Sequence, residues 1–340
     1  MGAEVAHRLA LVMIVKNEAR SLARCLQSVQ GVVDECIVLD TGSSDDTVAI
    51  AQAHGARVGH FQWVDDFAAA RNAALAMSSA AWNLVLDGDE WLAHGHEALH
   101  ALRQQTPDTL GLVEVASPFD EHGQTASSWI PRLLPAGVRY TGRIHEQPEF
   151  KGPRQQLAVR VAHDGYLPAQ RARKADRNQH LLTLALQEHP NDAYLHYQLG
   201  KDHEVNDRFQ PAWVAYTAAL SLLGPHASRE PAWRHDLILR TLFALKADGR
   251  VPEAIDLAQA EMPHWHDSPD FYFVLGDVLL DHAVAHPEQA AELVPMIEAA
   301  WRQCLAIGEN PGLEGAVAGR GSVLAEKQLH LLQDVVAALG

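Results

Sequence analysis

From residue 9 onward the chain alternates short apolar runs with stretches whose apolar residues recur every three or four positions. The runs LALVMIV (9–15), ECIVLD (35–40), ARVGHF (56–61) and WNLVLD (82–87) have the length and continuity of strands covered on both faces. Between them the helical period predicts helices at about 19–30, 46–54 and 67–78. Gly31 and Gly55 fall where helix C-caps belong, and Ser44 where an N-cap belongs. Strand and helix in alternation predict βαβ units and a mostly parallel sheet, in which ligands bind beyond the carboxyl ends of the strands. That rule places Lys16, Asn17 and Glu18, then Asp40, then Asp87 through Glu90, on one edge.

Further along, LGLVEVA, SWIPRLLP and LAVRVAH read as more strands between Leu110 and His163, with RYTGRIHEQ ahead of the last. The basic stretch QRARKADRNQ then leads into sequence that is helical to the end, which predicts a boundary near residue 170 and domains of 1–170 and 171–340. In the second half, Ala193, Leu199, Gly200, Ala212, Tyr216 and Ala219 match the spacing of a tetratricopeptide unit, whose small residues let two antiparallel helices pack closely. An LG pair recurs at Leu275 and Gly276, and Ala254 takes the packing position of a unit between them. The alternative is an irregular helical bundle. The expected fold class is therefore α/β followed by an all-α, tetratricopeptide-like domain.

Charge narrows the partners. With 43 acidic and 27 basic residues the net charge is −16, which argues against a general nucleic-acid binder, since that function needs basic stripes to displace counterions. Three cysteines without CxxC spacing, Cys25, Cys36 and Cys304, predict reduced thiols serving as core filler in a cytoplasmic protein. No apolar run reaches the length of a transmembrane segment, and HRLALVMIVKNE lacks the features of a signal peptide.

The candidate chemistry lies in LVLDGDEWL (84–92), where a buried run ends in Asp87, Asp89 and Glu90. Like charges this close require a counter-ion, and a divalent metal carrying a phosphate would supply one. By itself Asp-x-Asp is a weak signal in so acidic a chain. It gains weight from the stretches before it, KNEARSLARCLQSV, IVLDTGSSDDTVAIA and FAAARNAAL. Together these resemble family 2 glycosyltransferases of the GT-A fold, most closely a bacterial branch in which a short transferase domain precedes tetratricopeptide-like helices. The resemblance covers about residues 9–165 well and the helical half loosely.

The resemblance implies a nucleotide-sugar donor, UDP-linked, and a Mn²⁺ or Mg²⁺ cofactor that stabilises the departing diphosphate as a Lewis acid. It makes Asp89 the first metal ligand, with Asp87 contacting the metal or the ribose and Gly88 between them in the donor site. Asp40 would recognise the base, and Val15, Asn17 and Glu18 would shape its pocket. Arg71 would approach the diphosphate or sugar. In RIHEQ, His145 would complete the metal shell and Glu146 would serve as the base, with Asp120 and Glu121 as competing carboxylates. Surface ion pairing is the ordinary alternative for Arg71 and Glu146, and a structural role the ordinary one for a histidine in a chain with 20 of them.

Other chemistries fail on spacing. His96 with His100, and His264 with His266, lack the third ligand and the glutamate of a zincin. A calcium loop starting at Asp87 would need Gly and Glu where Leu92 and Ala98 stand. GxxxxGK[ST], GxGxxG and GxSxG are absent. The expectation is an inverting transferase acting on a peptide, protein or saccharide acceptor. The helical half would shape the acceptor site and offer a surface for a homodimer. The rival is an inactive scaffold with the same two domains.

Overall fold

The computed structural model of the chain describes residues 8–118, 125–163, 168–224 and 229–339. It divides into two compact units, residues 1–185 and 186–340. The first is built from ten strands, β1 (Leu9–Val15), β2 (Glu35–Asp40), β3 (Arg57–His60), β4 (Trp82–Val85), β5 (Glu90–His94), β6 (Leu110–Pro118), β7 (Thr125–Pro135), β8 (Arg139–Thr141), β9 (Gln147–Glu149) and β10 (Arg154–His163). Its helices are α1 (Leu22–Ser28), α2 (Thr47–Ala53), α3 (Phe67–Met77), α4 (His96–Leu102) and α5 (Pro168–Glu188). The sequence reading put the change of architecture near residue 170; α5 begins at Pro168, and the units divide after Ala185.

Eight strands form one sheet in the order β3-β2-β1-β4-β7-β6-β10-β5. Four of its pairings are parallel, namely β1 with β2, β2 with β3, β1 with β4 and β6 with β10. The central strand β1 is apolar along its whole length and almost wholly buried, as a strand covered on both faces requires. Register sets Val15 opposite Asp40, so β1 and β2 end together. Chain order reverses on either side of β1, which opens a crevice at the carboxyl ends of β1 and β4.

Gly31 and Gly55 take the left-handed conformation expected after α1 and α2, with φ of 77° and 75°. Ser44 does not cap α2. The Asp45 side chain accepts the Thr47 N–H instead, and Ser44 donates to Asn17 across the loop. The sequence reading also missed β5 and α4, because EWLAHGHEALH is too polar to show a strand or helix period.

The acidic turn has an unusual placement. β4 ends at Val85, Leu86 stays buried, and the chain then leaves the middle of the sheet; β5 pairs antiparallel with β10 at the far edge, with Glu90 opposite His163. One short turn thus connects two distant positions of the sheet.

The second unit is helical, α6 (Ala193–Val205), α7 (Phe209–Leu223), α8 (Arg234–Ala247), α9 (Val251–Glu261), α10 (Pro269–Ala285), α11 (Ala290–Ile307) and α12 (Val323–Leu339). The two LG pairs mark its close helix contacts. A Cβ on Gly200 would collide with the Tyr216 ring of α7, and a Cβ on Gly276 with the Trp301 indole of α11. Ala212, Ala219 and Ala254 are fully buried, as the repeat spacing required. No helix among the described residues is long and apolar enough to cross a membrane.

Candidate active site

The three carboxylates of the turn have different surroundings. Asp87 accepts from two arginines, Arg71 Nη2 at 2.7 Å and Arg132 Nη2 at 2.9 Å. Burial opposes its charge, but the two guanidinium groups overcome this and hold the Asp87 carboxyl well below the ordinary range. Glu90 is almost wholly buried; it accepts the Asp87 N–H at 2.9 Å through one oxygen and Arg132 through the other. Its carboxyl is pushed up by burial and by Asp87, with Arg132 opposing. Glu90 therefore shapes the turn. Asp89 lies against His163 at the end of β10, with His163 Nε2 3.4 Å from its Oδ1. Burial would lower the His163 pKa, but the hydrogen bond and charge of Asp89 raise it.

The loops after β1 and β2 bind each other. Both Asp40 oxygens accept backbone N–H groups of its own turn, from Gly42 and Ser43 at 3.1–3.2 Å. Asn17, at φ 58°, receives the Ser44 N–H at 2.8 Å and donates its own N–H to Ser43. The Glu18 N–H donates to Thr47. Gly88 is required by close approach, since a Cβ there would sit 2.6 Å from Glu18 Cγ.

The two halves of the ARN motif do separate work. Arg71 reaches Asp87 and donates through Nε to Glu146 Oε1 at 2.5 Å. Asn72 exchanges two hydrogen bonds with the backbone of Tyr140 and so fixes β8 against α3. Burial opposes the Arg71 charge, yet Asp87 and Glu146 raise its pKa well above the ordinary value. RIHEQ is a loop at its centre. Ile144 is buried, His145 takes φ 53°, and β9 starts only at Gln147. The left-handed residue lets the adjacent side chains of His145 and Glu146 line one cavity, which alternation in a strand would prevent.

That cavity, about 310 Å³, lies at the carboxyl edge of the sheet. Of the residues singled out in the sequence, Val15, Lys16, Glu18, Arg71, Asp87, Gly88, Asp89, His145 and Glu146 line it. Asn17 and Asp40 do not; they build the loops that frame it. Asp120 and Glu121 lie outside the described residues. Sequence reasoning missed His163, Arg132, Trp63 and Arg177. Arg132 carried a signal, a lone charge in the apolar run SWIPRLLP, since a buried charge needs a partner. His163 carried one too, as the last residue of a strand, but its partner depends on the course of β5.

Residues 10–139 match the model of glycosyl transferase family 2. A TPR repeat-containing protein from Synechococcus elongatus is 35% identical over 77% of this chain and 67% of its own. The chain belongs to glycosyl transferase family 2. The prophage-derived glycosyltransferase SunS of Bacillus subtilis is 26% identical over 59% of this chain; the chain spans about half the length of that relative. A solved structure of Mycobacterium tuberculosis glucosyl-3-phosphoglycerate synthase with Mn²⁺, UDP and glucosyl-3-phosphoglycerate matches 33% of this chain and 44% of its own, at 26% identity and a TM-score of 0.28.

The family 2 domain contains, among its described residues, no group of three His, Cys, Asp or Glu side chains placed to hold a metal ion. The pair Asp89 and His163 still fits a hard divalent cation. Mg²⁺ is commonly held through one or two carboxylates, with phosphate oxygens and water filling the remaining positions, and Asp89 supplies such a carboxylate. Arg71 Nη1 is buried and has no hydrogen-bond partner among the described residues, as a donor directed at a bound oxygen would. Burial pushes all three thiols up, Cys25 beside the Asp87 carbonyl well above its ordinary value, Cys36 to about 11 and Cys304 to about 12.

Proposed function

We propose that this family 2 enzyme transfers a sugar from a UDP-linked nucleotide sugar to a hydroxyl or thiol acceptor with inversion. The observation that supports it best is the pair Asp89 and His163, an oxygen and a nitrogen donor 3.4 Å apart that both line the cavity beside Lys16 and Arg177. Asp89 and His163 would hold Mn²⁺ or Mg²⁺, which when bound neutralises charge on the leaving diphosphate. The sequence reading gave the histidine's role to His145; direct contact with Asp89 favours His163, and His145 is the comparator.

The chain's own groups account for the rest. Lys16 and Arg177 supply positive charge for the diphosphate. Trp63, edge-on to Phe67 at 4.9 Å, gives the cavity an aromatic wall against which a base or sugar face can pack. Arg71 and Arg132 hold Asp87 ionised and fixed, where it can accept a ribose or sugar hydroxyl. Glu146, oriented through Oε1 by Arg71, takes the acceptor proton as the acceptor attacks the anomeric carbon and the bond to the diphosphate breaks. A peptide, protein or saccharide is the acceptor class.

Calorimetric titration of UDP with and without Mn²⁺ tests the reading. Binding should tighten with the metal in the wild type. UDP affinity that is absent, or indifferent to Mn²⁺ and Mg²⁺, would remove its basis.

A further inference from the structure

The helical unit contains a second cavity, about 320 Å³, lined by residues of α6, α8 and α10 and of the segment before α12. Most of its charges are already paired. Arg240 binds Asp236 at 2.7 Å and Glu204 at 2.6 Å, Arg320 binds Asp270 at 3.1 Å, and Lys246 binds Asp281 at 3.3 Å. Asp277 also lines the cavity and is half-buried, yet it makes no hydrogen bond or ion pair with any described residue. The lining carries three cations, Arg240, Lys246 and Arg320, and three carboxylates, Glu204, Asp236 and Asp277, but Lys246 and Arg320 are engaged by Asp281 and Asp270 outside it. Lys246 and Arg320 act on Asp277 only from a distance, and burial, the larger effect, pushes its carboxyl above the ordinary range.

The walls are amphipathic. Leu239 and Val274 present aliphatic surface, and the Phe243 ring is 43% exposed. A carboxylate with no direct ion-pair partner among the described residues, an accessible aromatic face and aliphatic walls form a receptor for a cation on a hydrocarbon stem. The stem packs while the head meets the carboxylate and the ring. We propose that this cavity binds a primary ammonium or guanidinium group on an aliphatic chain, anchored by Asp277. A lysine or arginine side chain of a polypeptide and a free polyamine share that chemistry. The inference does not depend on the transferase reading.

Fluorescence anisotropy on the full chain tests it, with a labelled acetyl-Ala-Ala-Lys-Ala-Ala-amide probe and the same peptide carrying acetyl-lysine, and calorimetry follows the direct binding of spermidine. The lysine peptide should bind and the acetylated one should not. Asp277→Asn, which keeps the side-chain shape, should weaken binding about tenfold or more, the loss of one charge-assisted hydrogen bond. Phe243→Ala, at an exposed position, should weaken it several-fold. Asp256→Asn, an exposed carboxylate outside the cavity, controls for the chain's overall negative charge and should change nothing. If only spermidine binds, with the same dependence on Asp277, the proposal stands with the polyamine as its source. Equal binding by wild type and Asp277→Asn, or of both peptides, overturns it. Detectable binding of no probe at millimolar concentration overturns it too.

Discussion

Arg71 Nε donates to Glu146 Oε1 across 2.5 Å, joining a residue of α3 to one 75 positions further along the chain. The same guanidinium holds Asp87, so the acid of the turn and the candidate base are cross-linked through one cation. The bond engages Oε1 of Glu146, which directs an incoming proton to Oε2.

Glu146→Gln should lower transfer by about 10² to 10⁴-fold while retaining UDP affinity, the signature of a lost general base. Arg71→Lys should impair both transfer and donor binding, because an ammonium cannot reproduce the guanidinium's fork. Transfer assays run beside calorimetry check this. An active Glu146→Gln enzyme would move the role to another carboxylate, with Asp120→Asn and Glu121→Gln as the next variants.

Asp89→Asn should abolish the Mn²⁺-dependent gain in UDP affinity and leave the circular dichroism spectrum unchanged. His163→Ala should weaken metal-dependent binding about tenfold or more, the scale of lost support at a metal site, and His145→Ala should do less. A larger loss in His145→Ala would restore the assignment made from sequence.

Gly88→Ala should displace Glu18, whose Cγ lies 2.6 Å from the added methyl. We expect a destabilisation of about 1–3 kcal/mol, as for other overpacked sites, with weaker UDP binding. Denaturant unfolding and calorimetry measure the two effects. An unchanged unfolding midpoint with unchanged affinity would show that Glu18 yields without consequence.

In the helical unit, burial pushes the Asp236 carboxyl up, but Arg240, Lys201 and the Tyr197 hydroxyl prevail and hold it below the ordinary range. Stability from a depressed carboxyl is present above the unfolded pKa of about 3.9 and lost as pH falls through the lower folded value. Asp236→Asn should therefore cost about 1.5–3 kcal/mol near neutral pH and flatten the loss of stability below about pH 4. Thermal melts from pH 2.5 to 7 give both quantities. A variant as acid-sensitive as the wild type would place the titration elsewhere.

The sequence by itself determined the local and periodic features of this protein. Strand and helix alternation, the common carboxyl edge, the acidic turn and the glycines of the two LG pairs were legible because each is set by neighbours a few residues apart. The family motifs were legible for the same reason. Tertiary structure decided which charges meet. The strand after the acidic turn, hidden by its polar composition, crosses to the far edge of the sheet, and only that crossing brings His163 to Asp89. Arg71 and Arg132 neutralise Asp87 from 16 and 45 residues away. The counter-ion demanded by three adjacent carboxylates is thus supplied by the fold at two of them, Asp87 and Glu90. Long-range pairing leaves no period in the chain, because the energy of a buried charge depends on what packs around it and not on its neighbours in sequence.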